Sequence, residues 1–196
     1  MRQFLAPINR RFGTYRGLIR LGLAHAEYRS GRLRPFMRHD LGHVNRLVFV
    51  CQGNICRSSF ADHLARSLGI PSVSFGLATT TGMRADPTAM KTSLQFGVNL
   101  KSHQVTDIGD FQFHGGDLLL AMEIRQARKL ISLSLPDEVH VGLLGSWSKP
   151  RRLHIHDPFS LSDDYFVTCF QVIETAVKQL CAEYAAAKGM EIKVDV

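Results

Sequence analysis

The residues best suited to covalent chemistry are Cys51 and Arg57, which bracket Gln52-Gly53-Asn54-Ile55-Cys56 and lead into Ser58 and Ser59. The thiolate is the nucleophilic form of cysteine, and helix N-termini and cationic neighbours lower a thiol pKa from about 8.5 to roughly 3.5–7.5. The intervening residues are enough for a loop to curl round one tetrahedral oxyanion, aim its N–H groups inward and return Arg57 as a planar two-pronged donor. Gly53 and Asn54 are the residue types that most readily take positive φ in such a turn. Ser58 could donate its hydroxyl to the sulfur and ease its departure. Taken alone, a Cys and an Arg six apart signify little, so the case depends on what holds them.

Leu47-Val48-Phe49-Val50 is continuously apolar, as suits a strand buried on both faces, and Phe60, Ala61, Leu64, Ala65 and Leu68 recur at helical spacing before Gly69 and Pro71. The loop therefore runs from a strand end into a helix N-terminus, where free donors and the macrodipole favour an anion. Val73–Gly76, Asp117–Met122 and Val139–Leu144 read as further strands. Asp86-Pro87 caps a helix containing Ala89, Met90, Leu94 and Phe96 that Gly97 ends, and a second helix runs from Glu123 to about Leu133. Phe166, Phe170, Ile173, Val177, Leu180 and Tyr184 mark a last, core-facing helix. Alternation at this spacing predicts βαβ units and a mainly parallel sheet covered on both faces, with ligands at the carboxyl ends of the strands, where Cys51 lies. His156-Asp157-Pro158-Phe159 follows the last strand at that same edge. Asp157 is thus placed to pass a proton, whereas the other Asp-Pro pair, at Asp86, fits a helix cap.

The 196 residues suit one domain with an appendage, and the composition, 45% hydrophobic and 21% charged, is that of a soluble globular chain. No apolar run approaches the ~20 residues that span a bilayer, and no secretory leader is visible. Four cysteines suggest no disulfide scaffold, so a reducing cytoplasm is the expected compartment. The charge is uneven: residues 1–46 carry ten arginines against Glu27 and Asp40, a net +8 that leaves −1 for the remainder. This sets the expected boundaries at 1–45, a basic helical extension, 46–188, the catalytic domain, and 189–196, a tail. Phe4, Ile8, Phe12, Tyr15, Ile19 and Leu23 recur as one helical stripe, interrupted by Pro7, Gly13, Gly17 and Gly22. Packing on the domain or a second copy, lying on an anionic membrane surface, and a cleaved targeting peptide are the readings that compete; nucleic acid has no recognition fold to accompany it.

Val50 through Ser58 resembles, residue for residue, the Val-Cys-x-Gly-Asn-Ile-Cys-Arg-Ser signature of the low-molecular-weight protein tyrosine phosphatases, with Ser59 where that family usually has proline. Gly82-Met83-Arg84-Ala85-Asp86-Pro87, Gly97-Val98-Asn99-Leu100-Lys101-Ser102-His103 and Asp157-Pro158-Phe159 are similar to three further family stretches, and the resemblance runs from about Arg46 to Tyr184. It implies a small doubly wound α/β domain with a four-stranded sheet, no cofactor and no metal. Cys51 is then the nucleophile, Arg57 the clamp and Asp157 the general acid. Residues Gln52 to Cys56 with Ser58 hold the phosphate, Phe159 walls the cleft, and His103 steadies Asn54. A reversible Cys51–Cys56 disulfide is implied too, against the plainer reading of Cys56 as a small buried loop residue. Phosphotyrosine protein is the implied substrate, and in bacterial relatives often a tyrosine kinase of polysaccharide export. Ser160 and the Thr79-Thr80-Thr81 lip stand where relatives often have aromatic or aliphatic residues, and Gln104–Asp107 replaces the usual basic stretch.

Two rival functions share the loop. Thiol-dependent arsenate reduction calls for a further mobile cysteine pair, but Cys169 and Cys181 both fall on the last helix. A non-catalytic phosphate-binding module has no need of Cys51, Arg57 and Asp157 together. A zinc set drawn from His154, His156 and the loop cysteines fits no standard spacing.

Overall fold

The computed structural model describes residues 2–37 and 39–192, with the side chains of residues 2–5 left out. Four strands, β1 (Arg46–Cys51), β2 (Ser72–Gly76), β3 (Asp117–Ala121) and β4 (His140–Leu143), form one sheet in the order β2-β1-β3-β4. All three pairings are parallel. The helices are α1 (Arg2–Phe12), α2 (Tyr15–Arg29), α3 (Arg57–Ser67), α4 (Pro87–Ser93), α5 (Ile124–Ile131) and α6 (Asp163–Lys188).

Side chains alternate across a strand, so the unbroken apolar runs of β1 and β3 feed two cores. Leu47, Phe49, Leu118 and Leu120 face α3 and α6, where Phe60 stacks on Phe170 with centroids 4.1 Å apart. Val48, Val50, Leu119 and Ala121 face the other way, onto Ile124, Ala127 and Leu130 of α5 and onto Ala24, Leu33 and Phe36 of the N-terminal extension. Each large apolar side chain so buried contributes about 1.5–3 kcal/mol. Ala24, Leu33 and Phe36 are therefore part of the second layer, while Leu41 and Val44 join the first, so the described part of the extension is not a free arm. The mainly parallel, doubly covered sheet expected from the pattern is the one observed.

The single N-terminal stripe is corrected. Gly13 at φ +78° breaks the helix, and Thr14 caps α2 by accepting from Gly17 N at 3.1 Å. The break resets the phase, so α2 buries Gly17, Leu21 and Ala24, while Tyr15, Ile19 and Leu23 face solvent, the last 60% exposed. The side chain of Phe4 and the end of the tail, residues 193–196, lie outside the described residues. Elsewhere the limits shift slightly. Leu94–Phe96 is a 3-10 turn before left-handed Gly97, which leaves Leu94 exposed, and α5 stops at Ile131.

Candidate active site

β1 delivers Cys51 as its last residue, and α3 begins at Arg57. The loop between them is shaped by where its carbonyls go. Cys51 O accepts from Leu77 N at 3.0 Å, Gln52 O from Ala78 N at 3.0 Å, Ile55 O from Asp86 N at 3.0 Å and Cys56 O from Phe60 N at 3.2 Å. His103 Nε2–H donates to Asn54 O at 2.8 Å. With the C=O groups tied outward to the framework, the N–H groups turn inward. Among the described residues those of Gly53, Ile55, Cys56, Arg57 and Ser58 meet no acceptor, and Asn54 N donates to Cys51 Sγ at 3.3 Å. This is a concave nest of donors at a helix N-terminus, built to take an oxyanion.

Asn54 sits at φ 53°, the left-handed region its residue type tolerates. Its Nδ2 donates to Ser58 Oγ and Ser74 Oγ, both at 2.9 Å, and its Oδ1 accepts from Thr106 N at 3.0 Å. Because Ser58 Oγ already accepts from Asn54, its own hydrogen is free for Cys51 Sγ, 3.0 Å away.

Arg57 is 1% exposed. Its Nη1 donates to Glu123 Oε1 at 2.8 Å and to Ile155 O at 2.9 Å, and its Nη2 pairs with Asp157 Oδ2. Its Nε is buried and has no partner among the described residues. Burial works against the charge, but Asp157, Cys51 and Glu123 outweigh it and push the Arg57 pKa up. Burial likewise pushes Glu123 up, yet Arg57 and Arg125 more than offset this and hold its carboxyl at about 2. Glu123 is therefore a fixed anion that aims the guanidinium.

Asp157, a third exposed at its side chain, also accepts from Phe159 N at 3.2 Å through Oδ1. Phe159, on the same loop, is 53% exposed. Across the mouth, Thr79 N donates to Asp107 Oδ2 at 3.0 Å and Thr81 pairs with Asp110. Cys51, Asn54, Ser58 and His103 thus form one hydrogen-bonded group and Arg57 and Asp157 a second beside it, with the Phe159 backbone tied to Asp157 and its ring at the rim. Cys56 is buried, and burial first, then Asp86 and Asp157, push its thiol pKa up; all four cysteines are free thiols. Glu123, Ser74, Thr106, Asp107 and His156 are the participants that motif reading misses. Glu123 alone carried a signal, as a carboxylate just beyond a strand at the carboxyl edge of the sheet.

A thiol nucleophile inside an oxyanion nest, closed by a buried guanidinium at the carboxyl edge of a parallel sheet, defines a cysteine-dependent phosphate-ester site. The family model described as low molecular weight phosphotyrosine protein phosphatase matches residues 46–190. The chain is 30% identical over 137 residues to the low molecular weight protein-tyrosine-phosphatase Wzb of Escherichia coli K12, covering 69% of this chain and 92% of that protein. The Wzb of Salmonella typhi is 29% identical over 147 residues, covering 74% and 97%. The crystal structure of Wzb from Escherichia coli K30 in complex with sulphate aligns at a TM-score of 0.60 with 27% identity, covering 71% of this chain and 98% of that one. The chain belongs to the low molecular weight phosphotyrosine protein phosphatase family.

Proposed function

We propose that the chain hydrolyses phosphomonoesters through a cysteinyl-phosphate, with protein phosphotyrosine as its substrate class. The observation that carries this is the nest of inward N–H groups around Cys51 Sγ, closed by the unpartnered Nε of Arg57. Cys51 attacks phosphorus in line, and an S–P bond forms as the P–O bond to the leaving group breaks. Loop amides and Arg57 take the equatorial oxygens, which draws Nη2 from Asp157 to the anion; the released carboxylate takes a proton from solvent and, facing the departing oxygen, passes it on. Water then attacks the intermediate, Asp157 takes the water's proton, and the thiolate leaves with the Ser58 hydroxyl bonded to it.

Cys51→Ser in the full chain should abolish turnover of p-nitrophenyl phosphate; turnover near the wild-type rate would remove the nucleophile assignment. Tyrosine preference is supported by the exposed Phe159 ring beside the acid, and rates on matched phosphotyrosine and phosphoserine peptides test it. Equal rates would widen the substrate class. A bacterial tyrosine kinase is the protein substrate we favour, since the related enterobacterial enzymes are named tyrosine phosphatases. Arsenate reduction is not favoured: Cys169 and Cys181 are fully buried in α6, and burial pushes the Cys181 thiol up to about 12.

The outward ridge of Tyr15, Ile19 and Leu23 beside Arg16 and Arg20 supports a second part of the proposal, peripheral contact with an anionic lipid surface. Among the described residues no helix is long and apolar enough to cross a membrane. Co-sedimentation with phosphatidylserine vesicles should weaken several-fold in Ile19→Glu/Leu23→Glu. Unchanged pelleting, or a loss of dimer in its place, would reject the lipid reading.

A further inference from the structure

The N-terminal extension reaches the Asp157 loop at the α1–α2 junction, where the backbone closes onto the ring of His156. A Cβ on Gly13 would come within 2.7 Å of His156 Cδ2 and 2.7 Å of Tyr165 Cε1, and one on Gly17 would stand 3.0 Å from His156 Cγ, so two glycines permit this approach. His156 immediately precedes Asp157, and its carbonyl is fixed by Tyr165 O–H at 3.1 Å.

From this contact a line of polar groups runs to the guanidinium. Thr14 Oγ1 lies 3.1 Å from His156 Nε2, His156 Nδ1 lies 3.3 Å from His154 Nε2, and His154 Nδ1 lies 3.8 Å from Glu123 Oε2. Glu123 in turn holds Arg57. Burial keeps both histidines neutral, each with one ring proton. Were the proton of His156 on Nε2, His154 would have to donate from its own Nε2 and turn a bare Nδ1 lone pair toward the Glu123 carboxylate. The opposite order has no such conflict. Gly17 N–H donates to Thr14 Oγ1. The Thr14 hydroxyl then donates to His156 Nε2, His156 Nδ1–H to His154 Nε2, and His154 Nδ1–H faces the carboxylate. Every proton points toward Glu123.

We infer that Thr14 is a positioning residue of the active site: its hydroxyl sets the tautomer and orientation of His156 and thereby holds the Asp157 loop at the proton-transfer distance. The inference rests on Asp157 being the general acid. It makes the extension, which lies outside the family match, part of the catalytic apparatus.

The test separates Thr14 as donor from Thr14 as helix cap. In the full chain, Thr14→Asp keeps a capping oxygen for Gly17 N–H but accepts from His156 where threonine donates, Thr14→Val loses both roles, and Thr14→Ser keeps both. The readout is the ratio of kcat/KM for phenyl phosphate, a poor leaving group, to that for p-nitrophenyl phosphate, a good one. Thr14→Asp and Thr14→Val should lower that ratio about tenfold, a fraction of the full acid effect, and Thr14→Ser should retain it. Nitrogen-15 shifts of the His156 ring should report an Nδ1–H tautomer in the wild type and Nε2–H in Thr14→Asp. An unchanged ratio in an active Thr14→Asp protein, or a loss confined to Thr14→Val together with its melting temperature, overturns the inference and leaves the phosphatase reading intact. A wild-type chain inert toward both esters overturns both.

Discussion

Arg57 is held by two carboxylates of different character, one sealed in the protein and one at the mouth. Removing the sealed one leaves a buried cation short of a partner, a loss of about 3–5 kcal/mol, so Glu123→Gln should lower urea stability by that order and cut kcat/KM on aryl phosphates as the guanidinium loses its aim. Unchanged kinetics would mean that Ile155 O and the loop suffice to place Arg57. Asp157→Ala should slow phenyl phosphate about 10²-fold more than p-nitrophenyl phosphate, because only the poorer leaving group needs the proton. Equal slowing assigns the proton to another group. Cys51 and Arg57 stand out in the sequence because loop chemistry is local, written in consecutive residues, whereas Asp157 stands out only through its Asp-Pro-Phe stretch and its place after the last strand. Glu123 is marked only by its place just beyond a strand, since a glutamate before a helical run reads as the start of a helix, and nothing local says that its side chain turns back to an arginine 66 residues away.

The strand–loop–helix unit is set by backbone contact as much as by side chains. A Cβ on Gly76, in β2 alongside Cys51, would lie 2.8 Å from Thr79 Cγ2, 3.0 Å from Gly53 C and 3.1 Å from Asn54 N. Thr79 can yield, but the loop backbone cannot without moving its N–H groups. Gly76→Ala should therefore cost about 1–3 kcal/mol and reduce kcat/KM more than ten times, a loss visible in steady-state assays at temperatures where circular dichroism still reports a folded chain. Retained activity would show the loop to be more pliant than its outward hydrogen bonds imply. The sheet and its flanking helices are legible because apolar periodicity marks them. The N-terminal stripe misleads, for periodicity counts apolar positions and not helix phase. The helix packs through Gly17, Leu21 and Ala24, two of them small, and turns Tyr15, Ile19 and Leu23 outward. The departures at Gln104–Asp107 also acquire a role only in the fold, where Thr106 N and Asp107 brace Asn54 and Thr79.

Across the whole molecule, buried neutral histidines tie stability to acidity. Burial, then Arg66, lowers His63 to about 4, and burial lowers His154 to about 4 although Glu123 opposes it. The unfolded chain binds these protons near 6.5 while the folded one does not, so stability is full above pH 6.5 and drains away as pH falls toward 4. Glu123, depressed in the folded state, adds a loss below 4.5. The melting temperature should drop by roughly 5 °C or more between pH 7 and pH 4.5, and a flat profile would place compensating groups elsewhere. That the basic extension completes the second core through Leu33 and Phe36 is not legible either, because a charge boundary in the sequence need not be a packing boundary in space.

The three groups that grip Arg57 come from residues 66, 98 and 100 positions further along the chain. A ribosome therefore emits the thiol and its loop long before anything exists to aim the guanidinium, and Tyr165, which pins His156, emerges later still. Until the segment carrying Asp157 has been made, the full grip on Arg57 cannot form.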